Sequence, residues 1–257
     1  MNVKNQIDRL RWFLKNYRTI NRSSKLLSNH FLGPITYDTD SLCTSNNADF
    51  LLEKKFANAY AKALATKPWI NFTLQWRVYI VCWFANHVKG LEGDFVECGV
   101  NTGAYARAII EYTQFQQLNK TFYLFDTFNG LVKDQITDKE MAQGIGIYLD
   151  RYKDVYEQVM ETFKGMPVKI IRGAVPDTLT QCESNKIAYL SIDMNCVLPE
   201  IAAMNYFWEK ITKGGVVILD DYGFPGHTEQ KTAFDHFAQA HQVEILTLPT
   251  GQGIIIK

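Results

Sequence analysis

The chain has 257 residues, 47% of them hydrophobic, with 27 basic and 27 acidic side chains and a formal net charge of +0. That leaves room for one large α/β domain plus an appendage, and it provides no bulk attraction to nucleic acid. No apolar run approaches the roughly 18 residues of a spanning helix, and Asp8, Arg9, Arg11 and Lys15 interrupt any signal-like apolar core at the start. Five scattered cysteines without a C-x-x-C pair read as free thiols, Cys98 and Cys196 as buried ones, in a cytoplasmic protein.

Residues 1–92 read as a helical extension. Lys4, Arg9, Arg11, Lys15, Arg18, Arg22 and Lys25 oppose only Asp8 in the first 25 residues, while Ile7, Leu10, Phe13, Leu14 and Tyr17 recur at helical spacing. This is a basic amphipathic helix, suited to an acidic face of its own domain, to a sister subunit in a homo-oligomer, or to a membrane surface. Asn29–Asn47 is a polar loop with Gly33 and Pro34. Leu52, Phe56, Ala59, Tyr60 and Ala63 mark a helix that Pro68 ends. Trp69 to Lys89 predicts a second helix, apolar nearly all round and so buried between elements.

From Gly93 to Lys257 strands and helices alternate. Asp94–Cys98, Thr121–Asp126, Val168–Ile171, Ile187–Ile192 and Val216–Leu219 read as strands. Between them fall a helix from Ala104 to Gln114 and a second marked by Tyr148, Tyr152, Val155, Val159 and Phe163. A third, opening at Pro199-Glu200, carries Ile201, Met204, Trp208 and Ile211, and a last one carries Phe234, Phe237, Ala238 and His241. Lys213-Gly214-Gly215 reads as a turn into the fifth strand, and Val243–Leu248 with Ile254–Lys257 as a terminal strand pair. Strands so continuously apolar are covered on both faces, which means a mostly parallel, doubly wound α/β sheet. The insertion from Asn129 to Gly165, with Gly144 and Gly146, suits a segment that moves over a ligand.

Doubly wound sheets bind ligands outside the carboxyl ends of their strands, so the first strand-to-helix loop matters most. It runs Glu97-Cys98-Gly99-Val100-Asn101-Thr102-Gly103. A dinucleotide loop wants G-x-G-x-x-G to rest a pyrophosphate on the helix N-terminus. Here the third glycine is missing, and a carboxylate at the strand end would repel a pyrophosphate. It suits S-adenosylmethionine, which carries an ammonium and a sulfonium and no phosphate. Asp126, ending the second strand, is placed for ribose hydroxyls, although that acid also occurs in dinucleotide folds. Asp193 ends strand four, and Asp220-Asp221 end strand five on the same rim. Three converging carboxylates repel one another unless a donor network or a cation neutralises them, and a hard divalent ion, Mg²⁺, meets that need. The alternative is that Asp193 and Asp220 contact cofactor or cap helices without metal.

The segments Gly93–Val100, Phe125-Asp126-Thr127-Phe128-x-Gly130-Leu131 and Gly214–Tyr222 together resemble the macrocin O-methyltransferase family, over about residues 69–257. The resemblance implies a class I methyltransferase fold, a Rossmann-like sheet of seven strands, and methylation of a sugar hydroxyl on a glycan or glycosylated small molecule. It also implies Mg²⁺ held by Asp193, Asp220 and Asp221, and a cofactor set of Glu97, Gly99, Val100, Asn101, Gly103, Asp126, Thr127, Gly173 and Asp193. Where members carry a second aspartate two residues after Asp193, thought to be the general base, this chain has Asn195, which cannot take the proton. His227, six residues past Asp221, is a replacement base, because an imidazole nitrogen is suited to accepting a hydroxyl proton; its alternative is a helix-start histidine that only hydrogen-bonds. Gln230 and Lys231, one turn on, face either the cleft or solvent, whereas His30, His87, His236 and His241 read as structural. The catalytic set is thus His227, Asn195 and Asp193. Rival readings are a metal-free methyltransferase of another acceptor, a cofactor-binding protein without catalysis, and a nicotinamide oxidoreductase, which Glu97 argues against.

Overall fold

The structure is a computed structural model and describes residues 34–69, 72–149, 151 and 154–257. The basic segment 1–25, His30 and Tyr152 lie outside the described residues. Contacts divide the chain between Asp49 and Phe50. The first unit holds a hairpin where a loop is expected: β1 (Tyr37–Thr39) pairs antiparallel with β2 (Leu42–Thr44). Asp40 and Ser41 at its tip both take positive φ, as a tight two-residue turn demands. Strands of three residues are too short to show alternation in the sequence.

The second unit begins with α1 (Lys54–Ala65), which buries Phe56, Ala59 and Ala63. The Thr66 hydroxyl donates to the Ala63 carbonyl (2.8 Å) at its end. Leu52 precedes this helix and is 86% exposed, so it does not belong to the apolar face. Helix α2 (Gln75–Val88) starts six residues later than expected, and it buries its small residues, Val78, Val81, Cys82, Ala85 and Val88. Close approach to the sheet selects small side chains, so Trp83 is left 42% exposed and Trp76, Tyr79 and Phe84 half-buried. The expectation of a helix buried all round is corrected accordingly.

Then come β3 (Asp94–Cys98), α3 (Ala104–Thr113), β4 (Phe122–Asp126), the insertion with α4 (Asp138–Ala142) and α5 (Tyr156–Thr162), and β5 (Val168–Arg172). The second half has β6 (Ile187–Ile192), α6 (Val197–Trp208), β7 (Ile211–Leu219), α7 (Thr228–His241), β8 (Leu246–Thr247) and β9 (Gly253–Ile256). The seven strands lie in the order β5-β4-β3-β6-β7-β9-β8, parallel through β7, with β9 antiparallel between β7 and β8. The predicted doubly wound sheet is therefore present.

Three expectations shift in detail. Ile211 is not on α6: the helix ends at Trp208, and Ile211 already pairs with Ile187 as the first residue of β7. Lys213-Gly214-Gly215 then lies inside that strand as an irregularity, with Gly214 at φ +82°. Tyr148 sits in a 3₁₀ turn (Ile145–Tyr148) rather than on the insertion's helix, which begins at Tyr156.

One sheet face packs Val96, Cys98, Phe125, Leu190 and Val217 against Ala203, Met204 and Phe207 of α6 and Phe234 and Phe237 of α7. The other carries Phe95, Phe122 and Tyr189, whose rings pack on one another, the first two also meeting Phe115 just beyond α3. All five cysteines are free; Cys98 and Cys196 are buried, and Cys43 is exposed.

Candidate active site

From β3 the chain winds outward through β4 to β5, then crosses back to β6 on the other side of β3. Loops leave this switch point in opposite directions and open a crevice. A cavity of about 410 Å³ occupies it, walled by Glu97, Gly99–Thr102, Asp126, Thr127, Gly173, Asp193–Cys196, Asp220, Asp221 and His227.

Gly99 and Gly103 prove necessary for packing. At Gly99 (φ +90°) a Cβ would stand 1.7 Å from the Asp193 carbonyl oxygen, so β3 and β6 leave the sheet too close together for any side chain. Gly103, at φ +84° before α3, would drive a Cβ to 2.4 Å from the Phe163 ring. It is not part of the cavity wall and shapes the loop from behind. Asp126 organises the same loop. Its Oδ2 accepts from the backbone N–H of Val100 (2.6 Å) and Asn101 (2.8 Å), and its Oδ1 from that of Phe128 (2.6 Å). The Thr127 hydroxyl lies closer to the Gly130 carbonyl (2.6 Å) than to Asp126 (3.4 Å), which leaves Oδ1 capacity for a further donor. Burial raises the Asp126 pKa, and the three N–H donors oppose the rise.

Glu97 is 2% exposed, and its Oε2 has no hydrogen-bond partner. Burial, then the charges of Asp126 and Asp220, push its pKa well above the usual carboxylate value. A buried carboxylate oxygen without a donor is costly unless a ligand supplies one.

On the far side Asp193, Asp220 and Asp221 each bring an oxygen within 4.8 Å of the others. They share no common environment. Asp220 accepts from Arg77 Nη1 (2.5 Å), Tyr105 Oη (3.2 Å) and Gln252 Nε2 (2.9 Å). Asp193 receives an amide N–H from Asn195 at 3.3 Å, and burial followed by the charges of Asp220 and Asp221 raises its pKa well above normal. The chemistry of this donor set, three hard oxygens with Asp193 weakly served by the protein, fits a divalent ion. Asn195 itself sits at φ +59°, a conformation that asparagine tolerates better than most residues.

His227 ends a 3₁₀ turn (Pro225–His227) at the start of α7, buried, with Nδ1 3.5 Å from Asp221 Oδ2 and 2.8 Å from Gln230 Nε2. Gln230 is fully buried, whereas Lys231 faces outward and pairs with Asp235 at 2.6 Å. His87 stacks on Trp83 and His241 on Phe237, both away from the cavity. The sequence reading missed Arg77, Tyr105 and Gln252. A lone arginine on an otherwise apolar helix was the available signal for the first; nothing local marks the other two. It also missed the aromatic wall of Trp69, Phe72, Tyr148 and Phe224.

This sheet order, with its glycine loop after the first parallel strand and a cavity at the switch point, is the class I methyltransferase architecture. The chain belongs to the macrocin-O-methyltransferase (TylF) family, whose model matches residues 81–247. It is 25% identical over 154 residues to mycinamicin III 3''-O-methyltransferase of Micromonospora griseorubida, a match covering 54% of this chain and 59% of that relative's length. The solved O-methyltransferase NovP superposes with a TM-score of 0.59 at 22% identity, over 70% of this chain and 79% of NovP. The calicheamicin methyltransferase CalS11 gives 0.60 at 14% identity, over 87% and 98%. At these identities the two structures speak for the fold.

Proposed function

We propose that this protein is an S-adenosylmethionine-dependent O-methyltransferase acting on a hydroxyl of a sugar, within a glycan or a glycosylated small molecule. The observation that carries the reading is the unpartnered carboxylate oxygen of Glu97 in a cavity that continues to Asp193, Asp221 and His227. Glu97 would hold the cofactor's ammonium through its unpartnered oxygen, Asp126 would hold the ribose through its remaining capacity, and the backbone of Gly99, Val100, Asn101, Thr127 and Gly173 would line the rest of the cofactor's bed. Flat C–H faces of a sugar pack against aromatic rings, and Trp69, Phe72 and Phe224 offer such rings in the cavity wall. The names of the macrolide-modifying relative and of the matched family favour a sugar acceptor as well.

S-adenosylmethionine, when bound, would supply an electrophilic methyl group to the acceptor oxygen and leave as a neutral thioether. The hydroxyl proton passes to His227 Nε2, since Asn195 has no lone pair basic enough to take it. Asn195 instead orients Asp193. Asp193, Asp220 and Asp221 would hold a Mg²⁺ ion, which when bound polarises the acceptor hydroxyl. We place the enzyme in the cytoplasm, where five unpaired cysteines stay reduced, and assign the basic N-terminal segment to a subunit contact in a homo-oligomer. Among the described residues no helix is long and apolar enough to cross a membrane.

The test is calorimetric titration with S-adenosylmethionine and its demethylated product, followed by methyl transfer to a panel of glycosides with and without Mg²⁺. Binding of NADH in place of S-adenosylmethionine would refute the reading.

A further inference from the structure

The first N–H groups of a helix need acceptors from outside it. At α6 the residue before the helix, Cys196, makes no side-chain capping bond. The acceptor comes instead from another part of the chain. Glu140, fully buried on α4 of the insertion, accepts the Val197 N–H at Oε1 (2.6 Å) across 57 residues. Its Oε2 accepts the Thr137 N–H (2.9 Å) and closes a capping box on α4 itself. A carboxylate at the first turn of α6 also meets the positive end of the helix dipole.

Val197 follows directly on Asp193-Met194-Asn195-Cys196, which wall the cavity. From within α6, Glu200 Oε1 accepts the Met194 N–H (3.0 Å). Two buried carboxylates therefore pin this short loop, one from its own helix and one from the insertion. The insertion is seated on two further walls. Gln135 Nε2 donates to the Val175 carbonyl (2.5 Å) after β5, and the Thr137 hydroxyl donates to Glu229 (2.9 Å) on α7. Among these ties, that of Glu140 reaches the loop carrying Asp193 and Asn195.

We infer that Glu140 is a positioning residue: by capping α6 from the insertion, it makes the seating of the insertion set the placement of the Asp193–Cys196 loop in the cavity. The inference rests on the methyltransferase reading for its effect on turnover, while the coupling of insertion to loop is independent of any acceptor. Two substitutions break the bond from its two ends. Glutamine at position 140 brings one acceptor oxygen to two N–H groups, so one of them is stranded. Val197→Pro removes the donor itself. Proline suits the first position of a helix, and Cys196, at φ −152° and ψ 147°, already has the extended backbone that precedes a proline.

The experiment is amide hydrogen exchange on the full chain, with and without S-adenosylhomocysteine, in the native protein, Glu140→Gln, Val197→Pro and the double variant, alongside steady-state methyl transfer. In each single variant the Met194, Asn195 and Cys196 amides should exchange about 10-fold faster, with those of β6 unchanged. The double variant should be no faster than either single one, because both remove the same bond. The kcat should fall about 10-fold in each variant, and KM for the cofactor should change less, since most of the cofactor's bed lies outside this loop. Native exchange at Met194–Cys196 in Glu140→Gln overturns the inference, and so do additive effects in the double variant. Faster exchange with an undiminished kcat confines Glu140 to the fold and overturns its positioning role. If the native chain transfers no methyl group, the methyltransferase reading fails by itself, and the exchange cycle still decides whether Glu140 places the loop.

Discussion

Replacing Glu97 by glutamine separates the cost of that carboxyl to the fold from its value to the ligand. Glutamine has nearly the same shape, so packing on β3 persists while the charge goes. In the ligand-free protein Oε2 is buried and unpartnered, a condition that costs about 1–3 kcal/mol. Where the pH lies above the raised Glu97 pKa, removing the charge should therefore stabilise the ligand-free protein by about 1–2 kcal/mol, raising the thermal midpoint by roughly 2–8 °C for a domain of this size. Affinity should move the other way, because a charge-assisted hydrogen bond to the ammonium contributes about 1.5–3 kcal/mol, or roughly 10- to 150-fold in dissociation constant.

The pH dependence has a defined sign. The folded-state pKa is raised above the unfolded value, so the folded state binds the extra proton. The resulting stability is fully present below the ordinary carboxylate range and is lost as pH rises through the elevated folded value. Asp193 and Glu200, raised in the same direction by burial, contribute with the same sign. The ligand-free native protein should thus melt higher in mildly acidic than in alkaline buffer, and Glu97→Gln should flatten that slope. Scanning fluorimetry across pH and calorimetry with S-adenosylmethionine measure both halves. If Glu97→Gln destabilises the ligand-free protein and leaves affinity unchanged, the assignment of Glu97 to the ammonium is wrong.

Asp126→Ala leaves two backbone N–H groups of the loop after β3 and that of Phe128 after β4 without their acceptor, and at about 1–3 kcal/mol for stranded polar groups it should lower both the melting midpoint and the calorimetric affinity; unchanged values in both assays would show that the loop holds itself. Gly103→Val must move the Phe163 ring and adopt a positive φ, so it should weaken cofactor binding through the loop, and Phe163→Ala should recover part of that binding if the ring is the obstacle. His227→Ala should reduce kcat by about 10²- to 10⁴-fold, the usual worth of a positioned base, with Asn195→Asp partly restoring it; a larger loss on chelating Mg²⁺ than on removing the imidazole would assign the deprotonation to the ion. Residues 129–148 supply Gly130, Leu131, Gln135 and Tyr148 to the cavity and are tied to α6 through Glu140 and the Val197 N–H (2.6 Å), and their amides should gain hydrogen-exchange protection on binding S-adenosylhomocysteine, equal protection marking a fixed wall.

The alternating strands and helices from Asp94 onward were legible because hydrophobic continuity is local: runs of up to four apolar residues between glycines and polar turns admit few other readings. The Glu97–Gly103 loop and the acids at the ends of β4, β6 and β7 were legible for the same reason, since a strand's carboxyl end can be found without knowing its neighbours. Strand order was not, and it decides which ends share a cavity: β3 lies between β4 and β6, which brings Glu97 to Asp193 and Asp220 across long stretches of sequence. Only packing showed that Gly99 makes way for the Asp193 carbonyl and Gly103 for Phe163. Arg77 and Gln252 reached Asp220 from α2 and from the loop before β9, elements whose own periodicity says nothing of a carboxylate more than 30 residues away. Hydrogen bonds and charges act through space over a few ångströms, so the residues that neutralise a site are chosen by the tertiary fold, while the residues that build its strands and loops are written in the local pattern.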